Sequence, residues 1–119
     1  MKKFLFALPL PFCAAAPAHA TGGFFCETRG AATPISVSIT YTHTTGGGLV
    51  GATLTDGDKE IPTEKAQWWL DGTELRLLLT DPDLEREEVE IRARGRSEVM
   101  VGTLKRGGKA YRVRCEESG

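Results

Sequence analysis

The sequence predicts an all-β fold, a small antiparallel β-barrel or sandwich of seven to eight strands, with a disulfide joining the first and last strands. Three observations carry that reading. Apolar and polar residues alternate with period two, most clearly from Ile35 to Thr42. Turn signals rich in Gly and Asp separate the alternating runs at short, regular spacing. Two cysteines, Cys26 and Cys115, stand near the two ends of the chain that follows residues 1–20.

Residues 1–20 read as a cleaved secretory signal. Lys2 and Lys3 form a basic start, Phe4 to Phe12 is apolar apart from its prolines, and Ala18-His19-Ala20 is a small-x-small cleavage site. The processed chain is therefore expected to begin at Thr21. The apolar run falls short of the roughly 20 residues that cross a bilayer, and Pro9, Pro11 and Pro17 interrupt it. No membrane span is expected. Cys13 follows an apolar run as a lipidated cysteine would, but bulky Phe12 precedes it, so the expectation is that it leaves with the signal.

Residues 21–119 have the length of one domain. In an oxidising compartment an even cysteine count reads as a disulfide, and two cysteines allow one pairing. The bond requires Cα atoms only about 4.4–6.8 Å apart, so the terminal strands should be neighbours.

The elements follow in order. Phe24 to Thr28 forms the first strand. Ile35, Val37, Ile39 and Tyr41 give the second an apolar face, with Ser36, Ser38, Thr40 and Thr42 opposite. A Thr-Thr-Gly-Gly-Gly break at 44–48 precedes a return strand from Leu49 to Thr55. Asp56-Gly57-Asp58 makes a tight turn into a short segment around Ile61, which Pro62 confines to an edge. Ala66 to Leu70 and Thr73 to Thr80 flank Asp71-Gly72, which reads as a type I′ hairpin turn. Leu75, Leu77 and Leu79 share one face of that hairpin. Residues 83–87 suit one helical turn, and 88–94 a strand with Val89, Ile91 and Ala93 on its apolar side. Gly95-Arg96 is expected to turn the chain. Val99 to Lys105 and Lys109 to Glu116 close as a hairpin around Arg106-Gly107-Gly108.

Charge is unevenly spread. The full chain has net charge −1, and without Lys2 and Lys3 it is −3. Acidic residues outnumber basic ones 13 to 5 from Thr21 to Ile91, whereas 8 basic residues face 1 acidic from Arg92 to Arg114. The negative balance argues against a nucleic-acid partner. Arg92, Arg94, Arg96, Arg112 and Arg114 would share a face if their strands pair, where they either dock an anionic surface or pair with Glu88, Glu90 and Glu98.

The sequence shows no catalytic or metal constellation and implies no cofactor. The one histidine after residue 20, His43, has no recognisable nucleophile or orienting carboxylate, and both cysteines are committed to the bond. A carboxylate-pair hydrolase is the least favoured reading. Asp81, Asp83 and Glu85, and likewise Asp56, Asp58 and Glu60, alternate as calcium ligands do, but the glycine and terminal glutamate of an EF-hand loop are missing. Turn chemistry accounts for them. Trp68 and Trp69 are the foremost recognition candidates, with Asp81, Asp83 and Glu85 second. Neighbouring strand residues point to opposite faces, so one tryptophan is expected in the core and the other against a loop or an Arg stem. Exposed, it would suit an interface.

Phe24-Phe25-Cys26 at one end and Lys109-Ala110-Tyr111-Arg112-Val113-Arg114-Cys115 at the other resemble the periplasmic inhibitors of C-type lysozyme. That resemblance implies an eight-stranded barrel with its ends bonded, and inhibition by loop insertion. The Ser-Gly-x-x-Tyr motif of that loop is absent. Gly107-Gly108-Lys109-Ala110-Tyr111 keeps its Gly and Tyr without the serine, so no inhibitory residues carry over. The functional expectation is a non-enzymatic exported domain that binds a protein or an envelope component, with lysozyme inhibition as the alternative.

Overall fold

A computed structural model of the chain describes residues 21–42, 48–96 and 98–118. The expected signal at 1–20, Cys13 and His43 lie outside the described residues. The strands are β1 (Thr21–Arg29), β2 (Ile35–Thr42), β3 (Gly48–Asp56), β4 (Lys59–Ile61) and β5 (Glu64–Leu70), followed by β6 (Glu74–Thr80), β7 (Glu87–Arg96), β8 (Val99–Arg106) and β9 (Lys109–Glu117).

These nine strands, more than the seven to eight expected, form one antiparallel sheet in the order β4-β3-β2-β1-β9-β8-β7-β6-β5. The sheet curls into a half-barrel. It is continuous in its pairing from β4 to β5. β1 and β9 pair as expected, but in the middle of the sheet rather than at a closing seam. The open edges are β4 and β5. Pro62, which has no N–H to give, lies in the two-residue link between them, and β4 is only three residues long. A bulge between Lys65 and Gln67 breaks the regularity of the β5 edge, a feature that discourages pairing with other chains.

Alternation puts one side of every long strand into a common core. Val37, Ile39, Leu54, Leu75, Leu77, Leu79, Val89, Ile91, Met100, Leu104 and Val113 are all buried on the concave side. Each such side chain stabilises by about 1.5–3 kcal/mol relative to exposure. Cys26 and Cys115 are direct register partners on this inner side, fully buried and bonded to each other.

Local chemistry decides the turns. Gly107 and Gly108 both have positive φ, 60° and 80°, the requirement of a type I′ turn. The Asp71-Gly72 turn differs from expectation. Asp71 N donates to Glu74 O at 3.1 Å, which centres the turn on Gly72-Thr73, and neither residue has positive φ. No helical turn forms at 83–87; a bend with Leu84 at φ 61° takes its place. Gly95 does not turn the chain. It pairs with Met100 inside the β7–β8 ladder, and the reversal falls after Arg96. Gly102, also in that ladder, has no room for a side chain, because an added Cβ would lie 1.9 Å from Arg92 O.

Polar bonds hold the two ends of the half-barrel. At one end the Arg106 guanidinium, at the tip of β8, donates to Asp56 of β3 at 2.9 Å and to Glu88 at 3.0 Å. β3 and β8 are not neighbours in the sheet, so this ion-pair set is a strut across its mouth. At the other end Tyr41 stacks on Phe24, centroids 5.7 Å apart, and its hydroxyl donates to Glu117 at 3.2 Å. Burial, then the Glu117 charge, holds the phenol above its ordinary pKa.

Three stability changes are expected, each read from urea unfolding. Reducing the disulfide, which spans 89 residues of sequence, should cost about 4–5 kcal/mol. Gly102→Ala should cost about 1–3 kcal/mol by overpacking. Arg106→Leu should also cost about 1–3 kcal/mol; it strands Asp56 and Glu88, and their partial exposure moderates the loss.

Candidate functional site

Neither tryptophan fills the core. Trp69 is 49% exposed and Trp68 38% exposed, a departure from the expectation of one buried ring. The reason is position: β5 is an edge strand with no hydrogen-bonded neighbour on one flank. Trp68 stands opposite buried Leu77 and so on the inner side, at the open margin. Trp69 stands opposite Arg76, on the outer side.

Trp69 is held in place although it is exposed. Its indole N–H donates to Asp71 Oδ2 at 3.0 Å, and the Arg76 guanidinium sits 5.6 Å from the ring centroid, a cation–π arrangement. The arginine contact is made by the guanidinium rather than by the expected stem. Asp71 Oδ1 accepts from the Thr73 amide at 2.8 Å, the Thr73 hydroxyl at 3.0 Å and the Glu74 amide at 2.9 Å. One carboxylate therefore fixes both the hairpin turn and the indole. These donors, the Thr73 amide foremost, lower its pKa from 3.8 to about 2. A depression of about 300 Å³ opens beside the ring, where Gln67, Arg76, Leu78, Glu90 and Arg92 meet it.

The acidic loop is built around Asp81. This residue is 5% exposed, and its Oδ1 accepts from the amides of Glu85 at 2.8 Å and Arg86 at 2.7 Å. Those bonds, the one from the Arg86 amide first, hold the carboxyl below its usual range. Asp81 O also accepts from the Leu84 amide at 2.9 Å. Asp83 and Glu85 are exposed, and ligand oxygens of the three acids lie within 4.8 Å of one another. Calcium takes six to eight oxygens, whereas here one Asp81 oxygen already holds the bend. The turn role read from the sequence is what the hydrogen bonds display.

The arginines do not form the two-strand patch the sequence suggested, because β8 separates β7 from β9. Their carboxylate partners are mostly on the same or the next strand. Arg92 pairs with Glu90 at 3.1 Å, Arg114 with Glu116, and Glu74 receives Arg76 at 3.4 Å and Arg94 at 3.8 Å. The Arg114 hydrogen bond holds the Glu116 carboxyl below its ordinary value. Of the expected partners, Glu90 meets an arginine of the set, Arg92, but along β7 rather than across the sheet, and Glu88 goes to Arg86 and Arg106 instead.

No protein-family model, curated protein or solved structure matches the chain. The resemblance to lysozyme inhibitors stays confined to the terminal residues named above. Asp71 and Arg76, which set the posture of Trp69, were not singled out from the sequence. The signal was there in part: an Asp two residues after Trp69 and one step before a tight turn.

The pH dependence of Trp69 follows from Asp71. A carboxyl with a depressed folded-state pKa contributes above its unfolded value near 3.8, and the contribution is lost as pH falls toward about 2. The indole N–H resonance of Trp69 should therefore keep its position from pH 7 to 4 and move only near pH 2. Asp71→Ala should shift it at neutral pH.

Proposed function

We propose that this chain is an exported, non-enzymatic binding module that engages the cell envelope through the outer face of β5–β7. The signal features at Lys2, Lys3 and Ala18-His19-Ala20 support export to the periplasm or beyond, with processing after Ala20. The buried disulfide belongs to an oxidising compartment and is consistent with that route. One observation carries the binding reading: Trp69 is exposed yet pinned from two sides. A ring ordered in advance loses little further freedom on contact, and tryptophan is enriched among the residues that dominate binding energy.

The non-enzymatic half of the reading rests on the available groups. Both cysteines are in the disulfide, and the sequence sets no recognisable nucleophile or orienting carboxylate beside His43. Asp81, the buried acid among the described residues, is occupied with backbone amides. A second reading, inhibition of C-type lysozyme, draws on the exposed acids Asp83, Glu85 and Glu87, which suit a basic enzyme surface.

Protein recovered from an exporting host should begin at Thr21 by intact mass. It should co-sediment with isolated bacterial envelopes, and Trp69→Ala should reduce the bound fraction at least fivefold without changing the urea midpoint. Full retention by Trp69→Ala would falsify the assignment of this face. Lysozyme activity unaffected at micromolar protein disposes of the second reading.

A further inference from the structure

The pairing register lines up a set of side chains that are far apart in sequence. Trp69 stands opposite Arg76, Arg76 opposite Arg92, Arg92 opposite Thr103, Thr103 opposite Arg112 and Arg112 opposite Arg29. Buried neighbours on each strand, such as Leu77, Ile91, Leu104, Val113 and Thr28, put all six on the outer face. The row contains no carboxylate. At a strand spacing of about 4.8 Å it runs roughly 24 Å along the surface.

Such a row is costly for the fold. Arg76 directly faces Arg92, and Arg112 directly faces Arg29; like charges so placed destabilise a sheet. The chain has 16 acidic residues, so carboxylates are not scarce. Glu74, Glu90 and Glu116 instead stand off the row, where they meet Arg76, Arg92 and Arg114. Among the described residues, Arg29 and Arg112 have no carboxylate within 4.0 Å, and Arg29 acts on Glu116 only from longer range. Compensation is thus present at Arg76 and Arg92 and weakest at Arg29 and Arg112, and a local rule broken with little compensation tends to mark a functional place.

The surface relief follows the same line. Trp69, Arg76 and Arg92 line the depression beside the indole, with Glu90, the ion-pair partner of Arg92, also in its wall, and Thr103, Arg112 and Arg29 line a second groove of about 650 Å³. Arg92 and Thr103 are register partners, so the two hollows are neighbours.

We propose that this row is a binding track for an anionic polysaccharide, with its acid groups on Arg76, Arg92, Arg112 and Arg29 and a sugar ring against Trp69. Guanidinium forks match carboxylate, phosphate and sulfate oxygens, and a single file of them suits a linear polymer. Single-stranded nucleic acid is a poorer fit, because successive bases need interleaved aromatics and the row has one, at its end. The proposal deepens the envelope-binding reading, with which it shares Trp69.

The test titrates the disulfide-bonded protein with dextran sulfate and with neutral dextran, which have the same backbone and differ in charge. A single-stranded oligonucleotide and phosphatidylglycerol vesicles serve as other polyanions. Dextran sulfate should bind with an affinity that falls as salt rises, dextran should not bind, and the other two should bind more weakly. The double variant Arg29→Ser, Arg112→Ser should lose at least tenfold in affinity with a shallower salt dependence. Its urea midpoint should hold or rise, since a like-charge pair is relieved; a merely structural role would lower it. Trp69→Ala should weaken binding without altering the salt slope. Wild-type affinity in the double variant, tighter binding of the oligonucleotide or vesicles, or no binding of dextran sulfate overturns the track. If Trp69→Ala then still abolishes envelope sedimentation, the binding face survives and only its anionic chemistry is lost.

Discussion

The pairing of β1 with β9, locked by Cys26–Cys115, is the constraint on which the rest of the sheet depends. Every other ladder joins strands that follow each other in sequence. Without the β1–β9 ladder the chain would be two separate meanders, β1 to β4 and β5 to β9, each with its apolar side open to water. With it, Phe24 and Val37 from one meander and Met100 and Val113 from the other bury into one core. The Arg106 strut from β8 to Asp56 serves the same end at the mouth of the curl, joining strands from the two halves. The arginine row depends on this ladder as well, since Arg29 and Arg112 meet across it.

Much of the architecture was legible in the sequence because burial here is one-sided. A strand with one wet and one dry face prints its alternation directly, as in Ile35 to Tyr41 and Leu75 to Leu79. The disulfide was legible by counting. Two local readings failed for one reason: the type of the Asp71-Gly72 turn and the helical turn at 83–87. In both places a side-chain carboxylate overrode backbone preference. Asp71 collected three donors around Gly72-Thr73, and Asp81 captured the amides of Glu85 and Arg86, which held Leu84 at positive φ.

The candidate site was legible only in outline. Trp68 and Trp69 stood out by residue type, but their exposure depends on β5 being an edge, and strand order is a global property. The same limit hid the arginine row. Its members come from β6, β7, β9 and β1, and only the register of the full sheet puts Arg92 in line with Arg112 and Arg29. Alternation told which side of a strand each arginine occupies, not how far along the neighbour it would stand.

The central position of the two termini has a consequence for assembly. A polypeptide emerges from its N-terminus, so β1 is delivered long before β9, its partner 89 residues away at the disulfide. Hairpins between consecutive strands can form as they appear, yet the ladder that joins the early half to the late half cannot form until β9 arrives. The interval between those two arrivals is when the newborn chain is most open to wrong partners, and it closes as β9 docks on β1 and brings Cys115 to Cys26.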